Sequence, residues 1–181
     1  LFPRLFPDAQ LLIVVRDGMA VAQSAATSFS KPRDLAIREW ARGMNRIEAF
    51  LASPAFDPAL HRLIRYEDMV QNTEAEMRAL LAFLQLDPEA MDWPALRDLP
   101  VYGSSALKAD GGPVHWAPVE RHQGFAPLDR AKAWRPGLRS HHGYLVGQAG
   151  RFAGYEPPPV EGWRRPLHML RAAFWWPAWR A

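Results

Sequence analysis

Arg16 and Ser24, eight positions apart, are the residues here whose types and spacing most readily do chemistry. Arg16 closes the apolar run Leu11 to Val15. It stands before Asp17-Gly18 and a stretch with Val21, Ala22, Ala25 and Ala26 at helical positions. A short, uniformly apolar, β-branched run reads as a strand buried on both faces. A cation at its carboxyl end sits where open α/β sheets bind ligands. A hydroxyl two turns into the following helix points near the same crevice, and the helix start adds backbone N–H groups. Together these features can hold a phosphate. The same strand-to-helix turn occurs in any doubly wound protein, where Arg16 would merely pair an acid.

Other chemistries have less to work with. There is no cysteine, which removes disulfides, thiolate catalysis and Cys-based zinc sites and fits a reducing compartment. His115 and His122 stand seven apart in a Pro-rich stretch and match no metal spacing. His141 and His142 are adjacent, so on a helix they face different ways. No metal is expected. Residues 160–181 carry Arg164, Arg165, Arg171 and Arg180 against Glu161, so the formal net charge of +3 resides in this tail. A neutral body does not suit nucleic acid, which asks for a basic face.

The elements that must position Arg16 and Ser24 follow from periodicity. The chain has 181 residues, enough for one domain with a core. No segment approaches the roughly 20 apolar residues of a membrane span. After the strand Leu11 to Val15, helices are expected over about Gly18 to Ser28 and Leu35 to Ala52. The second carries Ile37, Trp40, Ala41, Met44, Ile47 and Leu51 on one side. His61 to Tyr66 reads as a second strand. Thr73 and Glu76 form an S/T-x-x-E capping box for a third helix bearing Met77, Leu80, Leu81 and Leu84. From Trp93 to about Leu128, five prolines and four glycines predict a long irregular loop, and its aromatics Trp93, Tyr102, Trp116 and Phe125 suggest function. A final body helix is expected over about Ser140 to Phe152, with Gly154 as its C-cap.

The sequence divides into a body, residues 1–156, and a tail, residues 157–181. In the tail, Pro157-Pro158-Pro159 is a stiff spacer before an amphipathic stretch. There Trp163, Leu167, Leu170 and Phe174 share one helical stripe, and Arg164, His168 and Arg171 the next. Such a helix suits a membrane interface through residues 163–176. It equally suits docking on the body or on a partner subunit.

Residues Phe6 to Ser24, F-P-D-A-Q-L-L-I-V-V-R-D-G-M-A-V-A-Q-S, resemble the second cofactor-binding motif of the sulfotransferase family. In that family the Arg and the Ser eight positions on bind the 3′-phosphate of 3′-phosphoadenosine 5′-phosphosulfate (PAPS), the sulfuryl donor. Arg65 to Val70, R-Y-E-D-M-V, is similar to a second family segment, in which the position of Tyr66 lies near the adenine. Read on its own, Tyr66 is equally a core aromatic. D-L-P-V-Y-G-S-S at Asp98 to Ser105 and V-H-W-A-P-V-E-R at Val114 to Arg121 resemble a loop of one bacterial subgroup. In related enzymes that loop folds over the nucleotide. The resemblance thereby implies donor roles for Gly103, Ser104 and Ser105 and a phosphate contact for Arg121. From residue type alone, Ser104 and Ser105 also suit a turn, and Arg121 a surface charge. The resemblance spans roughly Phe6 to Glu156.

It implies a three-layer α/β sandwich with a mainly parallel sheet, the P-loop NTPase-like sulfotransferase fold. The implied activity is sulfuryl transfer to an acceptor hydroxyl or amine of a small molecule, saccharide or lipid-linked substrate, without a metal. One part of the family pattern is missing: nothing here matches the Gly/Ser/Thr loop that cradles the 5′-phosphosulfate. The chain therefore reads as N-terminally truncated, with the catalytic base also expected upstream of Leu1 and the piece inactive alone. A cytoplasmic location with peripheral membrane contact is the corresponding expectation. The alternative from another class is a non-catalytic adenine-nucleotide-binding or membrane-associated module.

Overall fold

The structure is a computed structural model that describes residues 5–100, 102 and 126–175. Strand β1 spans Leu11–Val15 and β2 spans His61–Arg65. They pair in parallel, with Leu11 opposite His61 and Val15 opposite Arg65. Between them run α1, Gly18–Phe29, and α2, Arg33–Leu51. After β2 come α3, Tyr66–Gln71, α4, Thr73–Phe83, and α5, Trp93–Arg97. Helices α6, Pro136–Val146, and α7, Arg165–Trp175, complete the described α-helices.

Alternation along the strands assigns their two faces. Ile13, Val15 and Leu63 join the main core with Ala22 of α1, Ile37, Ala41 and Met44 of α2, and Val146 of α6. Ile37 and Ala22 are fully buried, and Met44 and Ala41 nearly so. The helical period expected for α2 is thus the period of its buried face. On the other face of the sheet, Arg62 donates from Nη1 to the Ala79 carbonyl of α4 at 2.8 Å and lies over the Phe83 ring. Gln10 donates to the Phe83 carbonyl at 2.7 Å. Helices therefore flank the sheet on both sides, as an α/β layer fold requires.

Several local expectations fail for identifiable reasons. β1 is not buried on both faces: Val14 is 63% exposed, because the described residues place no layer over that side of it. β2 stops at Arg65, and Tyr66 already belongs to a short helix. The capping box does not form. Asn72 is the N-cap of α4, and Thr73 donates its hydroxyl to the Met69 carbonyl at 2.8 Å. The region expected to be irregular opens with α5, capped by Asp92, which accepts from the Ala95 amide.

The last body helix begins earlier and ends sooner than its periodicity suggests. α6 stops at Val146 because Gly147, with φ of +59°, leaves the helix. Gly150 is also left-handed, with φ of +91°, and there a Cβ would lie 2.7 Å from the Trp40 ring. Gly154 closes a 3₁₀ turn, Arg151–Ala153, rather than the helix.

The tail packs on the body. The Pro158 carbonyl oxygen crosses α6 so closely that a Cβ on Gly143 would meet it at 2.0 Å. α7 is turned opposite to simple amphipathic expectation, with its polar stripe facing inward. His168 is 6% exposed and contacts Ser140 Oγ from Nε2 at 3.0 Å. Arg171 donates from Nη2 to Asp34 of α2 at 2.9 Å. Trp163 and the α7 residues Leu167, Met169 and Leu170 are each more than half exposed.

Candidate functional site

Arg16 follows β1 directly, and the parallel register sets Tyr66 beside it at the end of β2. The Arg16 guanidinium lies over the Tyr66 ring, its Cζ 4.2 Å from the centroid. Such a stack orients a cation and stabilises it by about 0.5–1 kcal/mol where exposed and more where desolvated. Arg16 Nη2 donates to the Pro127 carbonyl at 2.6 Å. Its Nε is buried and makes no hydrogen bond among the described residues. An orphaned buried donor on a fixed cation is the kind of group an anion satisfies.

The backbone at this turn is held from three sides. The Trp40 indole N–H donates to the Arg16 carbonyl at 2.8 Å. The Asp17 amide donates to Glu67 Oε1 at 2.9 Å, and Asp17 Oδ1 accepts from the Ala20 amide at 2.8 Å, capping α1. Burial raises the Asp17 carboxyl above its ordinary value, outweighing that amide, and Glu67 adds to the rise. Gly18 lets the helix begin against Trp40, since a Cβ there would lie 2.8 Å from the indole. Glu67 in turn accepts from the Tyr155 hydroxyl at 2.6 Å. Burial, and then Glu67, push that phenol well above its usual range, so it remains protonated.

Arg130 supplies a second cation that the sequence did not signal. Burial, then the charge of Arg16, lower its pKa, and Tyr66 acts in the opposite sense. Two guanidiniums in mutual range repel, and an anion between them relieves that repulsion. Arg130 also lines a cleft of about 320 Å³ with Gln23, Arg33, Trp134 and Arg135. There the Trp134 indole donates to Gln23 Oε1 at 2.9 Å. Three arginines on one small cleft favour a polyanionic ligand. A larger cleft of about 550 Å³ lies between α6, Pro157 to Pro159 and α7, and neither cleft is lined by Arg16 or Tyr66.

The structure therefore brings Arg16 and Tyr66 into contact. Ser24 lies on α1, half-buried, one residue after the cleft-lining Gln23, with no hydrogen bond to its hydroxyl among the described residues. Gly103, Ser104, Ser105 and Arg121 lie outside the described residues, as do His115 and His122. Trp40, Glu67, Pro127 and Arg130 were not expected here. Trp40 carried only a core signal, and Arg130 reaches Arg16 through tertiary structure that no local spacing records.

The sequence model of the sulfotransferase family matches residues 2–90, the segment containing β1, Arg16, Ser24, β2 and Tyr66. Residues 2–90 belong to the sulfotransferase family. No curated protein matches the sequence. A solved structure described as the sulfotransferase domain from the curacin biosynthetic pathway aligns with a TM-score of 0.54 at 20% identity. The alignment covers 84% of this chain and 56% of that one, so the chain spans just over half the length of that domain. The likeness is one of fold and places the chain among P-loop-like α/β sulfotransferase folds, with a parallel sheet.

Proposed function

We propose that this chain carries the nucleotide-binding part of a sulfotransferase that takes its sulfuryl group from PAPS. The observation that carries the reading is the Arg16 guanidinium. It is fixed at the carboxyl end of β1, stacked on Tyr66 and within electrostatic range of Arg130, with a buried Nε that lacks a partner among the described residues. These residues fit a phosphate dianion: Arg16 and Arg130 supply charge, and Ser24 supplies a hydroxyl from the helix that starts at Asp17. Tyr66 holds Arg16 and borders the space for the adenine. Gly103, Ser104, Ser105 and Arg121 complete the reading as nucleotide contacts.

In the proposed reaction, a hydroxyl or amine of a small-molecule, saccharide or lipid-linked acceptor forms a bond to sulfur. The bond from sulfur to the bridging phosphate oxygen breaks, and adenosine 3′,5′-bisphosphate leaves. The role of the residues described is to anchor the donor so that its sulfur is in line with the acceptor, an effect of positioning and charge. Calorimetric titration with adenosine 3′,5′-bisphosphate tests the reading. Saturable binding that is at least tenfold tighter than that of adenosine 5′-monophosphate is expected. Equal affinity for the two would contradict it.

A further inference from the structure

The orientation of α7 leaves an apolar face with a chemical character of its own. Its polar stripe is taken up by partners in the body and in the tail itself. His168 is buried against Ser140 and His141, Arg171 bonds to Asp34, and Arg164, before the helix, pairs with Glu161 at 2.7 Å. Trp163, Leu167, Met169 and Leu170 therefore face solvent at 67, 58, 59 and 56% exposure. Buried polar contacts fix this orientation, because turning the helix over would strip partners from Asp34, Ser140 and His141.

The surroundings of this face are basic and aromatic. Arg165 is exposed at the start of α7, and the Arg164 guanidinium stacks on the Trp163 ring at 4.6 Å. The sequence onward from residue 174 adds Phe174, Trp175, Trp176, Trp179 and Arg180, and the net charge of the chain resides in residues 160–181. Tryptophan mixed with arginine is the composition of a membrane–water interface, where the indole sits at headgroup depth and the cations meet anionic lipid. A second copy of this chain is a poor occupant. The outer face of an eleven-residue helix is roughly 16 Å by 10 Å, far below the approximately 800 Å² per partner of a stable interface.

The geometry points to α7 as a membrane-docking face that seats the protein on an anionic lipid surface through Trp163, Leu167 and Leu170, with Arg165 toward the headgroups. The body's contacts with His168 and Arg171 set the angle at which the nucleotide site meets that surface. Co-sedimentation with vesicles of phosphatidylcholine containing 30% phosphatidylglycerol tests this, alongside vesicles of phosphatidylcholine alone. The chain is expected to sediment with the anionic vesicles, at least tenfold more strongly than with the neutral ones, and less so in 0.5 M salt. The double variant Leu167→Glu/Leu170→Glu, whose sites are solvent-facing, is expected to lose at least tenfold of this binding while its thermal unfolding stays unchanged. Trp163→Ala, a milder change, is expected to lose part of it. No binding to anionic vesicles at millimolar lipid overturns the proposal, and so does equal binding by the double variant. Self-association that the double variant abolishes, without vesicle binding, also overturns it in favour of a second copy.

Discussion

His141 and His168 meet through their Nδ1 atoms, 3.3 Å apart, inside the junction of α2, α6 and α7. His141 Nε2 faces Asp34 Oδ2 at 2.8 Å and must donate to that carboxylate. Burial alone would raise the Asp34 carboxyl, but the bonds from His141 and Arg171 outweigh it and hold it below its ordinary value. The Nδ1 pair then has room for one proton. With both rings neutral, His168 donates to His141, and Ser140 donates to His168 Nε2. A second proton on the pair sets N–H against N–H and breaks the contact.

Acid should therefore loosen α7 first. Burial, then His141, Arg164 and Arg171, hold the His168 pKa below its ordinary 6.5, and Glu161 opposes them. A histidine with a depressed folded pKa contributes stability that is present above pH 6.5 and is lost as pH falls below it toward the folded value. Hydrogen-exchange protection of residues 165–173, taken relative to the intrinsic rate at each pH, should fall between pH 7 and pH 5 before protection in α2 does. A parallel fall in the two helices would refute the coupling.

His142 makes a separate contribution. Its ring packs against Trp40 and Trp134, and both of its nitrogens are buried without a partner among the described residues. Burial, then His141, push its pKa down to about 4. The sign is again that of a buried neutral base: stability is lost as pH falls from about 6.5 to about 4, by on the order of 3 kcal/mol. His142→Leu removes two unsatisfied polar atoms at similar volume. It should raise stability at pH 5 by about 1–3 kcal/mol in urea denaturation and flatten the acid dependence. A destabilised variant with the same acid dependence would show that the ring has a polar partner.

Gly143 is a steric requirement. A Cβ there would lie 2.0 Å from the Pro158 carbonyl oxygen, so Gly143→Ala should displace residues 157–160 and cost about 1–3 kcal/mol. Gly162→Ala, with open space around it, is the control and should leave the unfolding midpoint within error. Equal midpoints for both variants would mean that the spacer does not rest on α6.

Arg130 should contribute to binding. Arg130→Gln removes one of two mutually repelling cations. Affinity for adenosine 3′,5′-bisphosphate should fall about tenfold, equivalent to about 1.4 kcal/mol. A fall in melting temperature with unchanged affinity would make Arg130 a structural residue.

The sequence makes the frame of the site legible and much of its lining invisible. Leu11 to Val15 reads as a strand because β-branched residues run together, and Arg16 is placed simply by following them. α2 is legible because Ile37, Ala41 and Met44 recur at steps of four and three, the spacing of one helix face. The end of α6 is not, because the helical period runs straight through Gly147 and Gly150, and only the approach of Trp40, which leaves no room for a Cβ, makes glycine necessary at 150. The tail shows two stripes, yet which one faces inward depends on Asp34, a carboxylate far away in sequence that draws Arg171 and His141. Arg130 is hidden for the same reason. Its partners Arg16 and Tyr66 are set by the parallel register of β1 and β2.

Recognition of a 3′-phosphate by Arg16 can be read from a single comparison of two nucleotides. The affinities of adenosine 3′,5′-bisphosphate and adenosine 5′-monophosphate are measured by calorimetry for the wild-type chain and for Arg16→Met, a variant of similar length that keeps a side chain over Tyr66. Removing one partner of a buried charged contact costs about 2–5 kcal/mol. The preference for the bisphosphate is expected to collapse by about 30-fold or more, with the monophosphate little affected. A preference that survives in Arg16→Met would contradict it.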